Sequence, residues 1–123
     1  MFQFSLNPSD MKKVHFIGIG GVSMSGIAEL LHDTGYQVTG SDVRDNKYVK
    51  HLESVGIPVT IGQSAENIKD QELFVYTDAI LPTNPELQAA IATRQPCVTR
   101  GQFLGALMQN FPASIAVSGS HGK

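Results

Sequence analysis

Two glycine-containing segments carry residue types that bind phosphate. The first, Gly18 to Ser23, lies between an apolar run and an amphipathic stretch. The second, Gly119 to Lys123, is separated only by Ser118 from the apolar run Ser114 to Val117. Glycines let backbone N–H groups wrap phosphate oxygens closely, and a lysine ammonium neutralises their charge. Both segments therefore predict contacts with nucleotide phosphates.

The first segment matches part of the dinucleotide-binding fingerprint. Gly18 permits the tight turn, Gly20 lets the backbone approach a pyrophosphate, and Ser23 stands at the third position, which should be small for helix–strand contact. The helix that follows offers free N–H groups and a partial positive charge to an anion. Asp42 belongs to the Gly40-Ser41-Asp42 segment that closes the second predicted strand, where a carboxylate can accept hydrogen bonds from ribose hydroxyls. A diphosphate-bearing nucleotide is expected, without indication of which one.

The second segment begins a nucleotide-triphosphate loop of the kind that continues into a Ser or Thr holding magnesium, and then into a helix. Neither follows Lys123 in this sequence. We therefore expect Gly119 to Lys123 to mark the start of a further domain and not to hold ATP by itself.

The rest of the chain must position the two phosphate-binding segments. It consists of short apolar runs that alternate with amphipathic stretches. Gly35 is typical of a helix C-terminus, and Asn84 is typical of an N-cap residue and is followed by Pro85 at the first helical position. Alternating strands and helices predict a single-domain α/β fold, a Rossmann-like parallel sheet flanked by helices. The predicted strands are 14–17, 36–39, 57–61, 73–77 and 97–99. The predicted helical faces contain Met24, Ile27, Ala28 and Leu31; Tyr48, Leu52 and Val55; Leu87, Ala90 and Ile91; and Phe103, Leu104, Leu107, Met108 and Phe111, ending at Pro112.

The composition excludes several classes of function. The net charge is −2 with scattered basic residues, which disfavours a nucleic-acid partner because phosphate-backbone binding needs a basic stripe. No apolar run approaches the ~20 residues of a membrane span, and the N-terminus lacks the features of a signal peptide. The only cysteine, Cys97, cannot form an internal disulfide. These features predict a cytoplasmic protein with no membrane partner.

The residues from Phe16 to Glu29, followed by Gly40-Ser41-Asp42, closely resemble the Mur ligases. The string Met24 to Ala28 separates the chain from ordinary dehydrogenases. The resemblance covers Val14 to Lys123, and its motifs are together highly specific. Three later parts of the chain agree with it in the family's order: Asp78-Ala79-Ile80 with Asn84-Pro85-Glu86, Val98 to Leu104, and Gly119 to Lys123.

The resemblance implies a three-domain, ATP-dependent ligase that joins L-alanine to UDP-N-acetylmuramic acid in peptidoglycan synthesis. ATP would phosphorylate the lactyl carboxylate, and the alanine amine would attack the acyl phosphate while magnesium neutralises charge. Residues 1–12 would be an N-terminal extension, 13–112 the UDP-sugar-binding domain, and 113–123 the truncated start of the central ATP-binding domain. Without the central and C-terminal domains the fragment would be inactive and would need no cofactor of its own.

The same resemblance implies a set of site residues. Backbone N–H groups from Gly21 to Ser25 would hold the diphosphate, and the residues after the fourth strand would face the sugar nucleotide because ligands gather at the carboxyl ends of strands. No catalytic residue and no metal ligand is expected. The expected UDP-sugar-binding residues are Gly18, Gly20, Gly21, Val22, Ser23, Met24, Ser25, Asp42, Thr77 and Asp78, and the expected ATP-binding residues of the longer protein are Gly119, Ser120, His121, Gly122 and Lys123.

Three positions depart from the family's usual pattern. Ser23 stands where Gly is usual, which would shift the helix slightly, and Ser120 replaces the usual Thr. Gln63 stands where His is common, so any role of that His is in doubt, although a glutamine amide can still hydrogen-bond a ligand. Arg100 has two open interpretations, phosphate pairing or fixing an inter-domain face.

An alternative is a nicotinamide-binding domain of an oxidoreductase or a redox sensor on the same fold. It would explain Gly18, Gly20 and Asp42, but neither the second phosphate segment nor the Met24 to Ala28 string. A structural or regulatory relic that binds nothing is a third hypothesis.

The remaining histidines and the cysteine favour structural roles. His15 lies inside a predicted strand and is expected to be a satisfied core histidine, whereas His32 and His51 are expected to be exposed on helices. Cys97, alone in an apolar strand, is expected to be buried packing.

Overall fold

The computed structural model of the protein describes residues 13–108, with side chains described up to Ala106. The expected N-terminal extension and the whole second phosphate segment therefore lie outside the described residues. So do the expected helix end at Pro112, the apolar run after it, and the side chains expected at Leu107, Met108 and Phe111.

Five parallel strands form one sheet in the order β3-β2-β1-β4-β5. β1 (Lys13–Ile17) lies at the centre, between β2 (Gln37–Asp42) and β4 (Leu73–Tyr76). β3 (Val59–Ile61) and β5 (Cys97–Thr99) form the two edges. The strand order reverses at β1, and such a switch point leaves a crevice at the carboxyl ends of the strands.

Helices follow the strands as right-handed crossovers of a parallel sheet require. The predicted α/β, Rossmann-like fold is confirmed. The helices are α1 (Val22–Thr34), α2 (Lys47–Ser54), α3 (Pro85–Ala92) and α4 (Arg100–Met108), and a short 3₁₀ turn, Ala65–Asn67, lies between β3 and β4.

The apolar core lies on both faces of the sheet because successive strand residues point to opposite faces. On one face, Phe16 and Val75 pack with residues of α1, α2 and α4, including Leu31, Leu52 and Phe103. On the other face, the smaller cluster consists of Ile17, Phe74, Leu87 and Ala90. The helices therefore pack on both faces of the central strands.

The predicted helix ends are confirmed where local chemistry sets them. Gly35 ends α1 with a φ of 110°, and its N–H donates to the His32 carbonyl at 3.0 Å. Asn84 caps α3, with Pro85 at the first position. Such caps depend only on neighbouring residues, which makes them readable from sequence.

Several predicted details are wrong. Ile91 is 55% exposed and not part of the apolar face, because Leu87 and Ala90 are the residues of this short helix that join the apolar cluster against the sheet. β2 runs on through Asp42, because Gly40 and Ser41 pair with β1 and Gly40 to Asp42 pair with β3. β3 begins only at Val59, and β4 ends at Tyr76.

Candidate nucleotide-binding site

A cleft of about 670 Å³ opens at the carboxyl ends of the strands, where the topology predicts a ligand site. One wall is the glycine turn between β1 and α1. The opposite wall is largely apolar and comes from the segment between β4 and α3. The lining residues are Gly18, Gly20, Gly21, Asp42, Val43, Asn46, Gln63, Thr77, Ala79, Ile80, Leu81, Thr83, Asn84 and Pro85.

The glycine turn is pinned to the neighbouring strands. The N–H groups of Gly18 and Ile19 both donate to the Ser41 carbonyl, each at 2.9 Å. Gly18 has a φ of 89°, and a Cβ there would lie 2.7 Å from Cγ2 of Thr77. The turn therefore needs glycine at this position for both its backbone conformation and its contact with Thr77.

Asp42 braces the turn from the end of β2. Its Oδ2 accepts from the Gly20 N–H at 2.8 Å, and its Oδ1 accepts from the Arg44 N–H at 3.3 Å. A Cβ on Gly20 would lie 2.8 Å from Oδ2 and 3.0 Å from Cγ2 of Val49. The absence of a side chain at Gly20 is thus required by the protein itself. The sequence predicted an acidic residue here to meet a ribose, but this second function of the carboxylate was missed.

The N-terminus of α1 lacks a capping side chain among the described residues, and Gly21 occupies the N-cap position. The side chains of Asn46 and Asn84, by contrast, cap α2 and α3. The first N–H groups of any helix have no intrahelical acceptor. The backbone donors of Val22 and Ser23 therefore stand beside the cleft with the positive end of the helix dipole.

The other expected residues of α1 occupy different positions. Met24 is 2% exposed and packs in the core, and Ser25 is 7% exposed with its hydroxyl donating to the Val22 carbonyl at 3.1 Å. Their side chains are unavailable to a ligand, which leaves only their backbone groups. Ser23 is exposed in the first turn of α1.

The residues after β4 divide between the cleft and its rim. Thr77 lines the cleft, and its N–H donates to the Ile17 carbonyl at 3.1 Å. Asp78 is exposed outside the cleft lining and approaches Nη2 of Arg100 at 3.4 Å. Nη1 of Arg100 lies 3.4 Å from Oγ of Ser23. Arg100 thus connects Ser23 and Asp78 at the rim, close to the start of α1.

Gln63 and Asn84 form a polar pair in the cleft lining, with Nδ2 of Asn84 donating to Oε1 of Gln63 at 2.6 Å. Neither was among the expected site residues. The Asn-Pro pair indicated a helix cap, but no local signal shows that the cap also contacts Gln63.

A buried polar network centres on Glu86, whose exposure is 0% and which follows Pro85 of the cleft lining in the chain. Oε2 accepts from Nε2 of His15 at 2.5 Å and from Oγ of Ser41 at 2.7 Å. Oε1 accepts from Nδ2 of Asn67 at 2.8 Å and from the Ser64 N–H at 3.1 Å. Burial raises the pKa of Glu86, but hydrogen bonds from His15, Asn67 and Ser41 outweigh it and hold the pKa below the ordinary value of 4.5.

The network confirms that His15 is a satisfied core histidine. The ring is 2% exposed, and Nδ1 lies 2.7 Å from Oγ1 of Thr39. His51 is exposed and pairs with Glu29 at 2.9 Å, whereas His32 is half-buried. Cys97 is half-buried, and burial raises the pKa of its thiol.

The described part of the chain contains no group of three His, Cys, Asp or Glu side chains placed to hold a metal ion. No helix within residues 13–108 is long and apolar enough to cross a membrane.

Comparison with known families decides the relationship. Residues 13–112 match the family model described as "Mur ligase family, catalytic domain". The chain belongs to the Mur ligase family.

The chain is 50% identical over 118 residues to the UDP-N-acetylmuramate–L-alanine ligase of Acetivibrio thermocellus, covering 96% of this chain and 25% of that protein. It is 49% identical over 116 residues to the enzyme of the same name from Rhodospirillum rubrum, covering 94% of this chain and 24% of that protein. The chain therefore spans about a quarter of the length of these Mur ligases.

Solved Mur ligase structures have the same fold. The UDP-N-acetylmuramate–alanine ligase of Thermotoga maritima superposes with a TM-score of 0.77 at 33% identity, over 80% of this chain and 23% of that one. The UDP-N-acetylmuramate:L-alanyl-γ-D-glutamyl-meso-diaminopimelate ligase of Neisseria meningitides gives a TM-score of 0.70 at 28% identity, over 76% of this chain and 30% of that one. These matches favour a ligase over a nicotinamide-dependent enzyme.

Proposed function

We propose that this chain supplies the UDP-sugar-binding domain of an ATP-dependent ligase that joins L-alanine to UDP-N-acetylmuramic acid in peptidoglycan synthesis. The observation that carries the proposal is the uncapped start of α1 beside the glycine turn. The names of the relatives at about 50% identity support the same substrate.

The geometry suits a diphosphate. The N–H groups of Val22, Ser23 and Met24 begin α1 and have no acceptor within the helix, and Gly21 leaves space for an anion to approach them. Arg100 at the rim adds a positive charge close to Ser23. Thr77 provides a hydroxyl on the opposite side of the turn. We infer that the diphosphate lies against the start of α1.

The uridine and sugar would occupy the rest of the cleft. Leu81 and Val43 are 69% and 63% exposed in the lining and offer apolar surface to a base or a sugar ring. Asp42 retains a weakly bonded Oδ1, at 3.3 Å from the Arg44 N–H, that can accept a second hydrogen bond from a ribose hydroxyl.

The ligase reaction needs more than this domain. We propose that residues 13–112 bind the UDP sugar and that residues 113–123 belong to the domain that binds ATP. In the longer protein, ATP would phosphorylate the lactyl carboxylate and the amine of L-alanine would displace the phosphate. Magnesium would neutralise phosphate charge, but the described residues offer no carboxylate cluster for it, and we assign it no step here. We also propose that the protein acts in the cytoplasm.

Thermal unfolding with a panel of nucleotides tests the proposal. A ligand that binds only the folded state raises the melting temperature as its concentration exceeds its dissociation constant. We expect UDP-N-acetylmuramic acid and UDP to raise it and NADH to leave it unchanged. A rise with NADH alone would favour the nicotinamide alternative, and no rise with any nucleotide would favour a domain that binds nothing.

A further inference from the structure

The pair formed by Gln63 and Asn84 has a fixed hydrogen-bond polarity. Oδ1 of Asn84 accepts from two backbone N–H groups, those of Glu86 at 2.9 Å and Leu87 at 3.1 Å. Backbone N–H groups can only donate, so the Asn84 amide cannot turn around without losing both bonds and the helix cap. Nδ2 of Asn84 is therefore the atom that faces Gln63.

The orientation of the Asn84 amide also fixes the orientation of the Gln63 amide. Nδ2 of Asn84 is a donor, and it lies 2.6 Å from Oε1 of Gln63, which must accept. The remaining polar atom of the Gln63 side chain is Nε2, which carries two N–H donors. Gln63 lines the cleft, and no hydrogen-bond acceptor for Nε2 occurs among the described residues.

We propose that Gln63 is a specificity-determining residue that donates from Nε2 to an acceptor oxygen of the bound UDP sugar. The proposal rests on the proposed function, because it concerns the same cleft. The cap of α3 fixes the direction of the amide before the ligand arrives, so little rotamer entropy is lost on binding. A ligand group that could only donate at this position would face two N–H donors and be rejected.

The contacts around Gln63 and Asn84 fix the position of the Nε2 donor. Asn84 is anchored to the backbone of α3, and the following Glu86 is held by the buried network with His15 and Ser41. Ser64, next to Gln63, donates its N–H to Oε1 of Glu86 at 3.1 Å. Both members of the pair are thus attached to the rigid part of the domain.

The first test compares affinities. Gln63→Met keeps the length of the side chain and its neutral charge but removes the Nε2 donor, together with the Oε1 that accepts from Asn84. We expect its dissociation constant for UDP-N-acetylmuramic acid to rise about 5- to 20-fold, the effect of one lost hydrogen bond. Gln37→Met, at an exposed position of β2, is the matched control and should change it less than twofold. An effect of Gln63→Met below twofold would overturn the proposal.

Two ligands locate the acceptor oxygen. If Gln63→Met weakens UDP and UDP-N-acetylmuramic acid equally, the acceptor lies in the nucleotide. If it weakens only UDP-N-acetylmuramic acid, the acceptor lies in the amino sugar or its lactyl group. Either pattern supports the donor function. Unchanged affinity of Gln63→Met for both ligands contradicts it.

A spectroscopic test separates this proposal from the proposed function. In ¹⁵N-labelled protein, the side-chain NH₂ signals of Gln63 are identified by their absence from Gln63→Met. We expect UDP-N-acetylmuramic acid to shift them together with the backbone signal of Gly21. If the Gly21 signal shifts and the Gln63 signals do not, the Gln63 proposal fails while the binding function stands. If neither shifts at saturating ligand, the proposed function itself fails.

Discussion

Nε2 of His15 lies 2.5 Å from Oε2 of Glu86, and both side chains are buried. The two residues come from β1 and the first turn of α3, which are far apart in the chain. An ionised carboxylate only accepts hydrogen bonds, so Nε2 carries the proton. The Glu86 carboxylate also accepts a hydrogen bond from the hydroxyl of Ser41 in β2. The backbone carbonyl of Ser41 in turn accepts from the glycine turn. A satisfied polar network thus links β1, β2 and α3 inside the domain.

Glu86→Gln should destabilise the fold by about 1–3 kcal/mol, because the charged acceptor is lost and an amide fits only if His15 changes tautomer and the Ser41 hydroxyl turns. Urea unfolding measures this change. Glu53→Gln is the matched control, since Glu53 is exposed on α2, and it should lie within about 0.5 kcal/mol of the wild type. Equal stability of the two variants would show that the network contributes little.

The contribution of Glu86 should depend on pH. Its pKa in the folded protein is lowered below 4.5, because hydrogen bonds to its ionised form outweigh burial. The stabilisation is therefore complete above the unfolded value of about 4.5 and is lost as the pH falls through the folded pKa. We expect the difference in unfolding free energy between wild type and Glu86→Gln to be largest near neutral pH and to shrink in acid. If the difference in unfolding free energy grew below pH 4.5, the expected direction of the pH dependence would be wrong.

Gly20→Ala should destabilise the domain by about 1–3 kcal/mol, because a Cβ would lie 2.8 Å from Oδ2 of Asp42 and 3.0 Å from Cγ2 of Val49. It should also weaken binding of UDP-N-acetylmuramic acid, because the turn must move. Gly26→Ala in the same region is the control. A Cβ there meets no atom within 4 Å, and we expect stabilisation of about 0.5–1 kcal/mol, measured by urea unfolding. Similar free energies of unfolding for Gly20→Ala and Gly26→Ala would contradict the close approach of Asp42 to Gly20.

Asp42→Ala should increase hydrogen exchange at the Gly20 amide, because its N–H loses the 2.8 Å bond to Oδ2. Asp42→Asn should preserve most of the protection, since a carboxamide oxygen can also accept this bond. Amide exchange followed by NMR gives the comparison directly. Asp45→Ala, at an exposed neighbouring position, should leave the Gly20 amide unchanged. Equal exchange rates of the Gly20 amide in Asp42→Ala and wild type would contradict a stabilising hydrogen bond from Gly20 to Asp42.

The sequence predicted the elements that local patterns determine. Gly35 and the Asn84-Pro85 pair specify helix ends through their own backbone chemistry, and the strand–helix alternation specified the parallel sheet. The glycine turn and Thr77 were correctly brought to one cleft, because parallel strands end at the same edge of a sheet.

The remaining features depend on contacts between distant segments. Glu86 is an acidic residue in the first turn of a helix, a position that is usually exposed, and only the strand order brings it onto His15. Asp42 was expected to face a ligand, whereas Oδ2 bonds to the turn. Met24 and Ser25 belonged to the matching motif, but their side chains face the core because of the helical period.

Isothermal titration of the 123-residue chain with UDP-N-acetylmuramic acid tests the central claim most directly. We predict saturable binding with one ligand per chain, competition by UDP and no effect of NADH. Gly20→Ala should bind more weakly than Gly26→Ala under the same conditions. The absence of binding heat from a sample that is folded by circular dichroism, at ligand concentrations in the millimolar range, would contradict the assignment of this cleft to a UDP sugar.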